Sequence, residues 1–169
     1  MKKILIILAL ILPLSAVQAI IPNKTLTKGN HKKSIQMPKF SVIDINNKTH
    51  NNDTVKGKYL VVNFWATWCP PCLKEIPAFV DFYEKNSDRV EILGVNYEQA
   101  DIDKIIDFTD TYMVNYPIIL SNSNNRKEFE KFGKIVGLPT TYVYAPDGSL
   151  VDSFMGEVDI KTLKKATQQ

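Results

Sequence analysis

Cys69 and Cys72 are the only cysteines in the chain, and they stand as Trp68-Cys69-Pro70-Pro71-Cys72. Two thiols at this spacing, placed where an apolar run hands over to a helix, suit thiol–disulfide exchange: one sulfur attacks a disulfide and the other resolves it. Pro70 and Pro71 fit the opening helical positions, where an N–H has no intrahelical acceptor, so the rings cost no hydrogen bond and stiffen the loop. Cys69 falls at or just before the first helical turn, whose partial positive field favours thiolate. Cys69 is therefore the expected nucleophile. Cys72, one turn further in, is expected to be the more buried and less acidic resolving thiol. A purely structural disulfide explains little, because so short a loop removes little entropy from the unfolded chain. Zinc as a rule takes four ligands; beyond the thiols only His31 and His50 offer imidazoles, both upstream and without ligand-pair spacing. Two inert buried cysteines would leave the prolines unexplained.

The elements that must position this pair follow from periodicity. Tyr59 to Trp65 is almost continuously apolar, as in a strand buried on both faces. Leu73, Ile76, Pro77 and Val80 recur at helical spacing after the cysteines and predict an inward stripe, with Pro77 kinking the helix. Val90–Asn96 is a second central strand; Ile102, Ile105, Ile106 and Phe108 mark another helix, and Tyr116–Leu120 a short strand. Lys127–Phe132 predicts a brief helix closed by Gly133. Thr141–Ala145 and Leu150–Phe154 flank Pro146-Asp147-Gly148-Ser149, a hairpin turn. Asp159 can cap a last helix through Ile160 and Leu163. Upstream, Phe40–Asp44 alternates like a half-buried strand, and Asn46-Asn47 turns it toward a hairpin partner. Together these predict an α/β three-layer sandwich around a central mixed sheet.

The chain has 169 residues, 44% of them hydrophobic, which suffices for one ordinary domain. Residues 1–19 have the form of a signal peptide: Lys2-Lys3, an apolar stretch from Ile4 to Leu14, and a small residue at Ala19. That stretch is shorter than the roughly 18 residues a bilayer span needs; an uncleaved membrane anchor is the alternative. Residues 20–37 form a basic linker, and 38–169 the domain. Without Lys2 and Lys3 the 21 basic residues become 19 against 18 acidic ones, a net +1 with no electrostatic case for nucleic acid. Export places the Cys pair in an oxidising compartment, where it acts as an oxidant or is kept reduced by a partner.

The string Phe64-Trp65-Ala66-Thr67-Trp68-Cys69-Pro70-Pro71-Cys72, with Glu75 and Pro77 behind it, resembles the thioredoxin superfamily. More narrowly it resembles the exported thiol-disulfide reductases of the TlpA/ResA/CcmG type, over roughly residues 38–165. The resemblance implies a thioredoxin-like fold with an N-terminal extension and a helix-strand insertion near residues 101–121. Asn63 occupies the place of thioredoxin's buried Asp, and the resemblance implies that Glu75 takes over the handling of protons at Cys72. On spacing alone Glu75, on the Cys72 side of the helix, reads as a solvated residue near the positive helix end. The resemblance also implies a cis Leu138-Pro139 bond opposite the disulfide, with backbone free to pair with a substrate strand. Trp65 is expected in the core and Trp68 on the surface that meets a partner, beside Pro70, Pro71, Leu138 and Pro139.

The activity so implied is reduction of partner-protein disulfides by a monomer in the periplasm or another extracytoplasmic space. Apocytochrome c is the implied substrate and a membrane thiol donor the implied source of electrons; the cofactor is none beyond the redox-active Cys69–Cys72 disulfide. Three alternatives remain open: a disulfide-introducing oxidase, a thiol peroxidase, and a copper-carrying chaperone. The peroxidase needs an Arg near the reactive Cys, and neither Arg89 nor Arg126 adjoins the motif. The copper carrier typically places its His downstream, whereas His31 and His50 are upstream.

Overall fold

A computed structural model describes residues 34–122 and 126–168. The signal-peptide reading of 1–19, and the linker reading as far as residue 33, lie outside the described residues. β1 (Ser41–Ile43) and β2 (Thr49–Asn51) form an antiparallel hairpin. β3 (Tyr59–Trp65) leads into α1 (Pro70–Asn86), and β4 (Val90–Asn96) into α2 (Ile102–Thr111) and β5 (Ile118–Leu120). α3 (Arg126–Glu130), β6 (Thr140–Tyr144), β7 (Leu150–Met155) and α4 (Ile160–Ala166) complete the order.

The main sheet runs β5-β4-β3-β6-β7, parallel between β5, β4 and β3 and antiparallel from β3 through β6 to β7. β3 and β4 are central and buried on both faces, which is why neither alternates in sequence. Val61, Trp65, Val90 and Ile92 face a layer made by α1, α2 and α4. Leu60, Val62, Phe64, Leu93 and Val95 face the opposite layer, built from the β1–β2 hairpin and α3. The result is the three-layer mixed α/β sandwich expected, with α2 and β5 as the helix-strand insertion. Gly94 is required where side chains from β5 and the segment before it cross this face of the sheet: a Cβ there would stand 2.7 Å from Ile118 Cδ1 and 2.8 Å from Tyr116 Cε2.

In two places the structure departs from what the sequence pattern predicts. The buried stripe of α1 is Cys72, Glu75, Ile76, Phe79, Phe82 and Asn86, whereas Pro77 is exposed and Leu73 and Val80 are only half-buried. The bulky rings of Phe79 and Phe82 fill the space above the sheet and turn the helix so that Pro77 faces solvent. The helix continues across Pro77 to Asn86. Ile35 to Met37, counted with the linker, already join the domain: Gln36 bridges Ser149, Met37 N–H donates to the Gly148 carbonyl, and Leu150 N–H donates to the Ile35 carbonyl. Gly148, at φ +83°, makes the β6–β7 turn that these residues meet. Asp159 caps α4 as expected, its carboxylate accepting from Thr162 N–H at 2.7 Å.

Candidate active site

β3 ends at Trp65, and the turn after it delivers Cys69 as the N-cap of α1, with Pro70 and Pro71 at its first positions. The Cys69 N–H donates back to the Ala66 carbonyl, closing the turn. Cys69 and Cys72 are joined as a disulfide. Both sulfurs belong to the core layer under α1, Cys69 at 3% exposure and Cys72 at 0%, so the order of burial is the one expected. Above them Trp68 is 64% exposed, Pro70 is exposed and Pro71 half-buried. Trp65 is buried and stacks on Phe108 of α2.

Glu75 is not a solvated helix-face residue. It is 2% exposed, one helical turn beyond Cys72 on the buried side of α1. Its Oε1 accepts from the Asn63 side-chain amide at 2.8 Å and its Oε2 from the Val158 N–H at 3.0 Å. Asn63 also donates to Thr141 Oγ1 at 3.1 Å, and the β3–β6 register places Asn63 opposite Thr141. Burial pushes the Glu75 carboxyl up to about 7, with Glu157 adding in the same direction, while the bonds from Asn63 and Val158 hold it down. A group poised there exchanges protons near neutral pH, which an exposed glutamate does not.

The Leu138-Pro139 bond is cis. Thr140 pairs with Phe64, so Pro139 arrives at the same end of β3 as the cysteine turn. The Pro139 carbonyl is not free for a substrate strand: it accepts from the Gly156 N–H at 2.9 Å, and the Gly137 carbonyl accepts from the Thr140 hydroxyl. The Leu138 N–H and C=O, by contrast, make no backbone hydrogen bond with any described residue. The site thus assembles Trp68, Cys69, Pro70, Pro71, Cys72 and Glu75 from one stretch of chain with Leu138 and Pro139 from another. His50 is elsewhere, enclosed in the β1–β2 hairpin, its Nε2 2.9 Å from Asp44 Oδ2. Among the described residues no cluster of three or more His, Cys, Asp or Glu could hold a metal ion.

Three further residues hold the site in place without any role that the sequence alone suggests. Thr141 and Val158 become visible only once β6 and the β7–α4 turn are folded against α1. Glu98, just past the C-terminal end of β4, accepts from the Thr67 N–H at 2.8 Å. Its signal in the sequence is an acid two residues past a parallel strand, the end of an α/β sheet where sites form.

Fold and site together define a thiol-disulfide oxidoreductase built on a thioredoxin-like sheet. The chain belongs to the AhpC/TSA family, whose profile matches residues 34–153. It is similar to the thiol-disulfide oxidoreductase ResA of Bacillus thuringiensis (strain Al Hakam), 32% identical over 129 residues, 72% of this chain and 69% of that one. The crystal structure of StoA from Bacillus subtilis matches with a TM-score of 0.64 at 28% identity, over 77% of this chain and 96% of that one. A thiol:disulfide interchange protein of the thioredoxin family from Chlorobium tepidum TLS matches with a TM-score of 0.69 at 25% identity, over 80% and 95%.

Proposed function

We propose that this chain is an exported reductase of disulfides in partner proteins. The observation that carries the proposal is the pairing of a Cys69 N-cap thiol with a buried, proton-poised Glu75 behind Cys72. In the reduced protein the Cys69 thiolate attacks one sulfur of a partner disulfide; an S–S bond forms to Cys69 and the partner's other sulfur leaves as a thiolate. Cys72 then gives its proton to Glu75 and attacks Cys69, releasing the second partner sulfur. Two electrons pass from the dithiol to the partner, and the Cys69–Cys72 disulfide is the product, with no dissociable cofactor needed. Trp68, Pro70 and Pro71 offer the contact surface, and the Leu138 N–H and C=O can pair with the partner's backbone.

The leader-like residues 1–19 support work outside the cytoplasm, in the periplasm or an equivalent space; among the described residues no helix is long and apolar enough to cross a membrane. There the pair needs a membrane-embedded thiol donor to restore it, and the resemblance to reductases of cytochrome c assembly makes apocytochrome c the first substrate to test. A peroxidase reading gains no support from Arg89, which follows α1 at its far end, about 25 Å along the helix from Cys69. Nor does Arg126 support it, since its guanidinium lies over the Tyr97 ring. Cys72→Ala, expressed in the native host, should accumulate a mixed disulfide between Cys69 and its partner, identified by mass spectrometry. Absence of any adduct while Cys69 still reacts with an alkylating agent contradicts the proposal.

A further inference from the structure

Glu98 is a carboxylate that the exchange chemistry leaves unused, yet its side chain is only 7% exposed. Four donors converge on it. Oε1 accepts from the Thr67 N–H at 2.8 Å and the Asn96 side-chain amide at 2.9 Å; Oε2 accepts from the Thr67 hydroxyl at 3.2 Å and the Lys104 ammonium at 3.3 Å. Burial alone would raise its pKa, but these bonds outweigh that and hold it below the usual carboxylate range, so the group stays ionised.

What this charge holds is the loop carrying the nucleophile. Between β3 and α1, the Trp65 carbonyl is tied to the Tyr97 N–H at 2.7 Å, and the Cys69 N–H to the Ala66 carbonyl at 3.2 Å. Thr67, between those ties, is fixed by Glu98 through both its N–H and its hydroxyl. Trp68, the next residue, faces solvent and depends on Thr67 and Cys69 for its placement. Lys104 belongs to α2, the same helix whose Phe108 stacks on Trp65 with ring centroids 5.1 Å apart. The inserted helix therefore touches both the start of the loop and the carboxylate that fixes its middle.

We propose that Glu98 is a positioning residue for the exchange reaction: through Thr67 it sets Trp68 and Cys69 against the start of α1, with Lys104 of α2 as its counter-ion. The proposal rests on the reading of Cys69 as the attacking thiol. Reactivity here depends on the sulfur lying at the positive N-terminal end of α1, near the Cys72 N–H since Pro70 and Pro71 carry none, so a slack loop raises the thiol pKa and slows attack together.

The test uses the reduced full chain and the rate of Cys69 alkylation by iodoacetamide across pH, with the modified residue assigned by mass spectrometry. Glu98→Ala should slow alkylation near neutral pH by about tenfold or more, since small misplacements at a reacting atom have effects of that order. It should also move the pH midpoint up toward the value of about 8.5 of a free cysteine. Glu98→Gln, whose amide oxygen still accepts from the Thr67 N–H, should restore most of the rate. Lys104→Met, at an exposed position, should give a smaller loss of the same sign. Should Glu98→Ala fail to fold, Thr67→Ala removes the hydroxyl bond alone and is expected to slow Cys69 severalfold; an unchanged rate in it overturns the proposal. So does a Glu98→Ala protein with a lower melting temperature but the wild-type rate and pH midpoint. Equal impairment of the Gln and Ala variants would make the charge, not the tie to Thr67, responsible, and likewise overturns it. Preferential alkylation of Cys72 in the wild type contradicts the assignment of the nucleophile itself, independently of Glu98.

Discussion

Replacing Glu75 with Gln removes the ionisable group buried one turn beyond Cys72 while nearly preserving its shape. The folded carboxyl titrates at about 7 against a reference of 4.5 for the unfolded chain. Between these values the folded protein holds a proton that the unfolded chain has lost. Stability from this group is therefore fully present below pH 4.5, falls as pH rises, and is gone above about 7. The gap of about 2.5 pH units corresponds to about 3 kcal/mol. In Glu75→Gln that slope should vanish. Above pH 7 the variant should gain up to this amount, less about 1–3 kcal/mol because its NH₂ must face Asn63 or the Val158 N–H, both donors. Activity should move the other way. Without the proton acceptor, resolution by Cys72 should slow about 10²-fold, a common magnitude for a lost general base. Urea denaturation of the oxidised forms between pH 5 and 8 measures the first effect, and stopped-flow resolution of a preformed mixed disulfide the second. A Glu75→Gln protein that keeps the wild-type pH slope of stability, or resolves at the wild-type rate with an inflection near pH 7, refutes the reasoning.

Two other outcomes follow from the same geometry. Asn63→Asp places a second carboxylate within hydrogen-bond reach of Glu75 in the core, and should destabilise the protein above neutral pH by about 3–5 kcal/mol, with much of the loss recovered on acidification; equilibrium unfolding at pH 5 and 8 compares the two. Trp68→Ala should slow reduction of a protein disulfide about tenfold while leaving reduction of a small aromatic disulfide within about twofold, because a partner-facing aromatic contributes contact rather than chemistry; parallel rate measurements with the two substrates make the comparison.

The Cys pair, the strand before it and the helix after it were legible because each carries a local signature: the prolines, the apolar run, the periodicity. The residues that tune the pair were legible only in part. Glu75 stood at the right helical spacing, but spacing does not report burial, and its enclosure depends on Asn63, Thr141 and Val158 arriving from β3, β6 and the turn before α4. The inward face of α1 was misjudged for a related reason: Leu73, Pro77 and Val80 satisfy the helical period, yet Phe79 and Phe82 supply more surface to bury and decide the rotation. The covered side chain of Glu98 and the buried His50–Asp44 pair depend on contacts the linear pattern does not contain. The docking of Ile35 to Met37 on the β6–β7 turn was hidden too, since a strand bridge of one residue pair leaves no periodicity to read.

The central claim is that the Cys69–Cys72 dithiol gives electrons to partner disulfides rather than taking them, and its reduction potential tests that most directly. Equilibrating the full chain against glutathione buffers of defined ratio, and quantifying the disulfide by mass after acid quench and alkylation, yields the value. The account predicts a potential more negative than about −200 mV, in the range of disulfide-reducing dithiols; a value near about −120 mV, that of a strong oxidant, would contradict it.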